Sequence, residues 1–239
     1  MRKFLSLLHL PLFICMLFFL PASASSLERV VVADFSLGLD HRGVPPGWKL
    51  RERSGKADIS IVREGSIHAL RLRSNDTSFS IQKPVDVNPY EYPLLSWKWK
   101  VTRLPEGGDF RIPGADDQAA QLFLAFSNAN IIVYIWDSSA PQGLTDNAWS
   151  PPFLTIKVIV VRSGHHETGK WIPETRNVYE DYRNIFGKEP PRIAGMRIQI
   201  NSQHTESSGE SFFSDIAFEK LRISRHLAQE PPEGFGSLH

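Results

Sequence analysis

Three aspartates, Asp109, Asp116 and Asp117, lie close together in a segment rich in glycine and proline, residues 105–117. Carboxylates clustered on a tight loop can bind Ca²⁺, and they can also accept hydrogen bonds from the hydroxyl groups of a sugar. Aspartates that cap turns in a solvated loop are the alternative interpretation. The EF-hand pattern is absent, so the segment is predicted as a ligand-binding loop of another kind.

A second set of polar side chains, Arg176, Asp181, Tyr182 and Arg183, lies on or beside one short segment. The arginines could bind an anion or the carboxylate of a uronate sugar. The alternative is a solvated helix face, because Arg176 and Glu180 form an i,i+4 pair that contributes only a few tenths of a kcal/mol. We count the four residues as candidate ligand-binding residues.

Tryptophan side chains form the third group, because an exposed indole ring can stack on the apolar face of a sugar. Trp97 and Trp99 share the apolar side of an alternating strand and are predicted to lie in the core. Trp136 stands at the end of a strand, and one residue separates Trp149 from Pro151-Pro152. Both are predicted to lie near the rim of the fold, with Trp136 as a ligand contact.

Complete catalytic motifs are absent from the sequence. There is no H-E-x-x-H, G-x-S-x-G, P-loop or G-x-G-x-x-G pattern. His165 and His166 lie in a predicted hairpin turn, where adjacent side chains point apart and do not favour a shared zinc ion. Binding is therefore favoured over catalysis.

Short apolar runs separated by Gly, Pro, Asn and Asp clusters are typical of an antiparallel β-sandwich or barrel. About ten strands are expected for such a fold, and the eleven candidate segments are 29–35, 48–53, 58–64, 67–73, 79–87, 94–101, 121–127, 130–136, 153–162, 195–201 and 212–218. The run from Thr155 to Val161 is nearly continuous and suits a strand covered on both faces. One helix is predicted over 177–186, capped by Asn177 and ended by Gly187. Residues 25–224 are predicted to form one domain, followed by a flexible tail, 225–239.

The first 24 residues have the features of a secretory signal peptide. Arg2 and Lys3 precede a long apolar run, and Ala22 and Ala24 end it in the A-x-A order. An uncleaved anchor is the alternative. A periplasmic or secreted protein is expected, with no membrane span after cleavage. The single cysteine, Cys15, lies in this segment, so the mature chain would have no thiol or disulfide.

The charge balance argues against a nucleic-acid partner. The chain of 239 residues has 27 Lys and Arg against 26 Asp and Glu. A protein that follows a phosphate backbone needs a basic surplus, which is missing. The hydrophobic fraction, 41%, is that of a folded protein. The oligomeric state is left open.

Three motifs occur along the chain in the same order as in one bacterial secreted family, which they resemble. They are Leu94–Val101, Asp116–Phe126 and Arg176–Arg183 with Phe186-Gly187 and Pro190-Pro191. The family is the one called domain of unknown function 3047, and the resemblance covers nearly all of the mature chain. It departs after Ile200, where Asn201-Ser202-Gln203-His204 replaces an Asp-Thr-Asp-like segment. The family implies no established activity.

A weaker resemblance links the framing strands to jelly-roll carbohydrate-binding modules. It is carried by Asp34-Phe35, Pro46-Gly47-Trp48, His68–Leu72 and Phe213–Phe218. It implies an all-β, jelly-roll (galactose-binding-like) β-sandwich. Some such modules hold a structural Ca²⁺ between acids on the first and last strands, and Asp34 and Asp215 are the matching positions here.

These features predict non-catalytic binding of a glycan or another cell-envelope ligand at a loop rim near Asp116 and Asp117. A polysaccharide hydrolase or lyase is the first alternative, because Asp109, Asp116, Asp181, Tyr182 and Arg183 could supply two carboxylates or a tyrosine base beside an arginine. A structural or assembly protein of the envelope is the second.

Overall fold

The computed structural model describes residues 28–148 and 150–221. The described chain contains thirteen strands and one α-helix. The strands are β1 Arg29–Ala33, β2 Lys49–Ser54, β3 Asp58–Glu64, β4 Ile67–Asn75, β5 Ser78–Val87, β6 Leu94–Arg103, β7 Ala120–Phe126, β8 Asn130–Asp137, β9 Thr145–Asn147, β10 Thr155–Ser163, β11 Ile172–Asn177, β12 Ile193–Asn201 and β13 Ser208–Glu219. Helix α1 is Val178–Phe186.

The strands form two sheets with one shared hydrophobic core. The six-stranded sheet has the order β11-β6-β13-β4-β3, and β1 also pairs with β13. The seven-stranded sheet has the order β2-β5-β12-β7-β8-β10-β9. The predicted all-β jelly-roll sandwich is therefore confirmed.

Aromatic residues from both sheets meet in the middle of the core. Trp97 and Trp99 point inward from β6, while Tyr134 and Trp136 point inward from β8. The Trp97 and Tyr134 ring centroids are 5.5 Å apart, and those of Trp99 and Trp136 are 5.8 Å apart. Alternation along each strand puts these rings on one face, so the sandwich closes over them.

Strands β8 and β10 pair in parallel, which departs from the predicted antiparallel arrangement. Parallel neighbours need a long crossover connection, and here residues 138–154 supply it. The crossover packs on the outer face of the seven-stranded sheet. There a second apolar cluster forms, made of Phe110, Val133, Ile135, Ala140, Val158 and Val160. β10 is thus covered on both faces, as its continuous apolar sequence predicts.

Helix α1 begins and ends as predicted. The Asn177 Oδ1 atom accepts a hydrogen bond from the Glu180 backbone N–H at 3.1 Å, and Gly187 ends the helix in a left-handed conformation with φ of 66°. Its apolar side docks on the sandwich, where the Tyr182 ring lies 4.5 Å from that of Phe126. A helix this short depends on such packing for its stability.

Some predictions fall outside the described residues. The signal peptide at 1–24, the tail at 225–239 and Trp149 belong to this group, and they stay predictions. Within residues 28–148 and 150–221, no helix is long and apolar enough to cross a membrane.

Candidate functional site

A groove runs across the outer face of the seven-stranded sheet, and we call it the sheet groove. It consists of two adjoining cavities with volumes of about 430 Å³ and 280 Å³. Phe123 and Arg197 line both cavities and so lie at their junction. Ligand pockets commonly have volumes of this order. The first cavity is lined further by Lys49, Gln82, Ala125 and Gly195, and the second by Asp116, Gln121, Gln199, Asn201 and His204.

Strand register sets the pattern of side chains on the groove floor. Arg197 on β12 is opposite both Gln82 on β5 and Phe123 on β7. Two residues further along β12, Gln199 is opposite Gln121 on β7. Neighbouring strands are about 4.8 Å apart, so the floor repeats amide and guanidinium groups at that interval. Amides both donate and accept hydrogen bonds, as sugar hydroxyls do.

Loops that cover the neighbouring half of the same sheet form one wall of the groove. Phe110, Ala148, Pro151 and Leu154 line this wall. Its anchor is Asp137, the last residue of β8, which is fully buried. The Asp137 carboxylate accepts hydrogen bonds from the backbone N–H groups of Phe110, Ser139 and Ala140 at 3.1, 2.8 and 2.7 Å.

The three predicted loop aspartates have different environments. Asp116 lines the groove, and its Oδ1 atom accepts a hydrogen bond from Gln118 Nε2 at 3.1 Å. Asp117 is fully buried, and its Oδ2 atom accepts hydrogen bonds from the backbone N–H and hydroxyl of Thr205. Asp109 is buried and forms an ion pair with Arg111 at 2.5 Å. Only Asp116 of the three is therefore placed to contact a ligand.

Opposite pKa shifts follow from these environments. Burial raises the pKa of Asp116, and the nearby Asp117 and Asp137 carboxylates add to this, while the Gln118 hydrogen bond and His204 oppose it. Hydrogen bonds from Arg111 lower the pKa of Asp109. Relative to the unfolded chain, folding therefore makes Asp116 harder to ionise and Asp109 easier to ionise.

Residues 201–204, where the sequence departs from the family pattern, hold the aspartate-containing loop at 105–117 in place. Asn201 Oδ1 accepts a hydrogen bond from the Gln118 backbone N–H at 3.0 Å, and Asn201 Nδ2 donates to the Asp116 carbonyl at 2.6 Å. His204 Nδ1 lies 3.0 Å from the same carbonyl. An amide at position 201 can donate and accept at once, which an ionised aspartate cannot.

The predicted rim position of Trp136 is wrong. Its side chain is fully buried in the main core, and its indole Nε1 donates a hydrogen bond to the Gly164 carbonyl at 3.1 Å. Alternation along β8 turns Trp136 inward while its neighbour Asp137 faces the loops. A ring without accessible surface has no face on which a sugar could stack.

The predicted helix residues lie at the opposite end of the sandwich from the acidic loop. The Asp181 carboxylate accepts hydrogen bonds from the Tyr134 hydroxyl at 2.8 Å and from Arg176 Nε at 2.9 Å. The Tyr182 hydroxyl accepts one from Asn130 Nδ2 at 2.7 Å, at the first residue of β8. Strand β8 extends about 23 Å from there to its other end, at roughly 3.3 Å per residue.

The helix residues therefore tie α1 to the sandwich and do not line the groove. Arg183 is exposed and forms ion pairs with Glu180 and Glu189 on the helix side. The fold does not bring Asp116 and Asp181 into one cleft, as the hydrolase alternative would require.

Asp34 directly follows β1 and Asp215 lies on β13, next to the registered pair of Ala33 with Ile216. Each carboxylate has a protein partner. Asp34 Oδ1 accepts hydrogen bonds from the Ser36 backbone and hydroxyl, and Asp215 forms an ion pair with Lys98 at 2.8 Å. In the described part of the chain, no group of three or more His, Cys, Asp or Glu side chains is placed to hold a metal ion. The calcium site stays a prediction.

The opposite shifts predict opposite effects of two matched substitutions on the free energy of unfolding. A raised folded-state pKa means that ionised Asp116 costs stability above its unfolded value of about 3.8. Asp116→Asn should therefore stabilise the protein at neutral pH, and the gain should vanish as the pH falls below that value. Asp109→Asn should destabilise it at neutral pH, with the loss vanishing on acidification. Urea denaturation at neutral and acid pH measures both, and shifts of the same sign would contradict the prediction.

Most residues of the sheet groove were not predicted from the sequence. Arg197, Gln199 and Asn201 alternate with Met196, Ile198 and Ile200, so their outward direction was readable from the sequence. Outward polar residues are nonetheless ordinary on a solvated sheet face. Their grouping with Gln82 and Gln121 depends on strand order.

Comparison with known proteins adds a family and a set of fold relatives. A family model described as "Protein of unknown function (DUF3047)" matches residues 46–217. No curated protein matches the chain.

The chain is similar to the family 11 carbohydrate-binding module of a cellulosomal cellulase of Clostridium thermocellum, with a TM-score of 0.44 and 13% identity over 84% of this chain and 100% of the module. It is also similar to the xyloglucanase domain of a type three effector from Sinorhizobium fredii, with a TM-score of 0.46 and 8% identity over 73% of this chain and 94% of that one. These are likenesses of fold.

Proposed function

We propose that this chain, which belongs to the family described as protein of unknown function (DUF3047), binds a glycan chain in the sheet groove without cleaving it. The observation that carries the proposal is the groove floor. There, Gln82, Gln121 and Gln199 come from neighbouring strands and surround an aromatic ring at Phe123.

The floor combines the two kinds of contact that sugars need. The Phe123 ring is partly exposed at the junction of the two cavities, and a ring in this position offers an apolar face to a pyranose. The partly exposed Gln82 and Gln199 amides can satisfy the hydroxyl groups at the edge of the sugar ring. The buried Gln121 positions Gln199, because its Oε1 atom accepts a hydrogen bond from Gln199 Nε2 at 3.4 Å. Small side chains at Ala125 and Gly195 leave the floor open next to Phe123.

The groove's carboxylate content supports binding rather than hydrolysis. Among the described residues that line it, Asp116 is the single carboxylate. Glycoside hydrolases use two, separated by about 5–9.5 Å. The predicted export of the chain fits a ligand in the cell envelope, and this location is part of the proposal.

A substitution that fills the groove tests the proposal. Ala125→Trp places a large ring on the floor beside Phe123, at a partly exposed position that faces away from the main core. We expect the wild type to be retained by at least one polysaccharide in affinity electrophoresis with xylan, mannan, β-glucan, alginate and polygalacturonate. Ala125→Trp should weaken that binding about tenfold or more, a loss of roughly 1.4 kcal/mol.

A matched control introduces the same ring on the other sheet. Thr175→Trp changes an exposed position of β11 and should bind as the wild type does. Failure of the wild type to bind any of the polymers, or equal binding by Ala125→Trp, would refute the proposal. Release of new reducing ends by the wild type, lost in Asp116→Ala, would instead support the hydrolase alternative.

A further inference from the structure

Four basic side chains line or flank the sheet groove, three of them on β2 at its edge and Arg197 on its floor. Lys49, Arg51 and Arg53 alternate along β2. Leu50 packs against the main core, so its two neighbours on the strand face outward. Lys49 and Arg53 line the two cavities. Arg197 lies two strands away on β12, with β5 between them.

Arg197 has no protein acceptor in the described part of the chain. Its guanidinium carbon lies 5.3 Å from the centroid of the Phe123 ring, and no hydrogen bond or ion pair of this side chain is present within residues 28–148 and 150–221. Burial lowers its pKa, and the neighbouring charge that acts on it is another cation, Arg51. Desolvating a charge without a partner costs free energy, so this position favours an anionic ligand.

Other partly buried arginines of the protein are paired with carboxylates. Arg162 contacts Glu174 at 2.6 Å, and Arg176 contacts Asp181. Arg197 differs because its surroundings on the groove floor are amides, a phenyl ring and further cations. The first cavity has no carboxylate among its described lining residues, and Asp116 belongs to the second.

We propose that Arg197 binds the carboxylate of a uronate sugar, so that the ligand of the sheet groove is an acidic glycan. This inference rests on the proposed function and names its ligand class. A guanidinium can hold a carboxylate through two parallel hydrogen bonds. The guanidinium lies over part of the Phe123 ring, so the sugar would contact the part of the ring that Arg197 leaves uncovered. Arg51 and Lys49 then attract the next acidic units along the chain.

Methyl esterification provides a matched pair of ligands, because it removes the charge of a uronate polymer and keeps its backbone. Polygalacturonate and alginate, each as free acid and as methyl ester, are the probes in isothermal titration calorimetry. We expect the wild type to bind at least one free acid about tenfold or more tightly than its ester. The affinity for the free acid should fall as salt is added.

Arg197→Gln should weaken binding of the free acid about ten- to hundredfold and change binding of the ester little. Arg197→Lys, which keeps the charge, should recover part of the loss. Arg63→Gln, an exposed arginine on β3, is the matched control and should bind as the wild type does. If Arg197→Gln does not fold, Arg51→Gln at its exposed position should show a smaller loss in the same direction.

Two outcomes would overturn the inference and leave the proposed function intact. One is equal binding of acid and ester, with both lost in Ala125→Trp. The other is binding of neutral polysaccharides alone. Binding of dextran sulfate but neither uronate polymer would overturn the assignment of a carboxylate. If no glycan of any kind binds, the proposed function itself fails.

Discussion

Trp136→Ala should lower the free energy of unfolding by about 3–5 kcal/mol, which is the usual cost of truncating a buried tryptophan. The side chain is fully buried and packs against Trp99, with ring centroids 5.8 Å apart. Its removal leaves a cavity between the two sheets. It also leaves the Gly164 carbonyl without its indole partner. Urea denaturation measures the loss, and an unchanged m-value would show that the unfolded state is unaffected.

Two further variants separate a core role from a binding role. Trp136→Phe keeps a ring in the core and should lose less than half as much stability. It should also bind the glycan as the wild type does. Trp171→Ala removes a partly exposed ring from the other sheet and should cost at most about 2 kcal/mol. Lost glycan binding in a folded Trp136→Phe variant would show that Trp136 acts at the ligand site.

Alternation of apolar and polar residues made most strands of the sandwich predictable, whereas strands without this alternation were not predicted. Trp97, Trp99 and Val101 alternate with lysines or threonine along β6, and their inward face was assigned correctly. Strand β11 was not predicted because Pro173 and charged residues interrupt its apolar–polar pattern. It is an edge strand that pairs with β6 alone, which is where proline is tolerated in a sheet.

The groove depends on contacts between residues that are far apart in sequence. Gln82, Gln121 and Arg197 become neighbours only because β12 inserts between β5 and β7. A single strand shows which side chains face outward, but it does not show which strand lies beside it. The same limitation explains why Asp116 and Asp181 were considered for one cleft, although β8 separates their surroundings along its length.

Asp137→Ala should cost about 3 kcal/mol or more and should also abolish glycan binding. The substitution leaves three backbone N–H groups without an acceptor, and each buried unpaired donor costs about 1–3 kcal/mol. These donors belong to Phe110 and to the turn at Ser139 and Ala140, which form or support the loop wall of the groove. We therefore expect the wall to open before the two sheets separate.

Asp137→Asn provides the matched control, because one oxygen can still accept from Ser139 and Ala140. The new amide N–H₂ would face the Phe110 donor, so the expected cost is about 1–3 kcal/mol, that of one buried donor left unpaired. Hydrogen exchange should show lost protection at Phe110 in both variants and at Ala140 only in Asp137→Ala. Retained protection and full glycan binding in Asp137→Ala would mean that the wall holds without this carboxylate. The fixed shape of the groove would then come from the apolar cluster around Val133 and Val158.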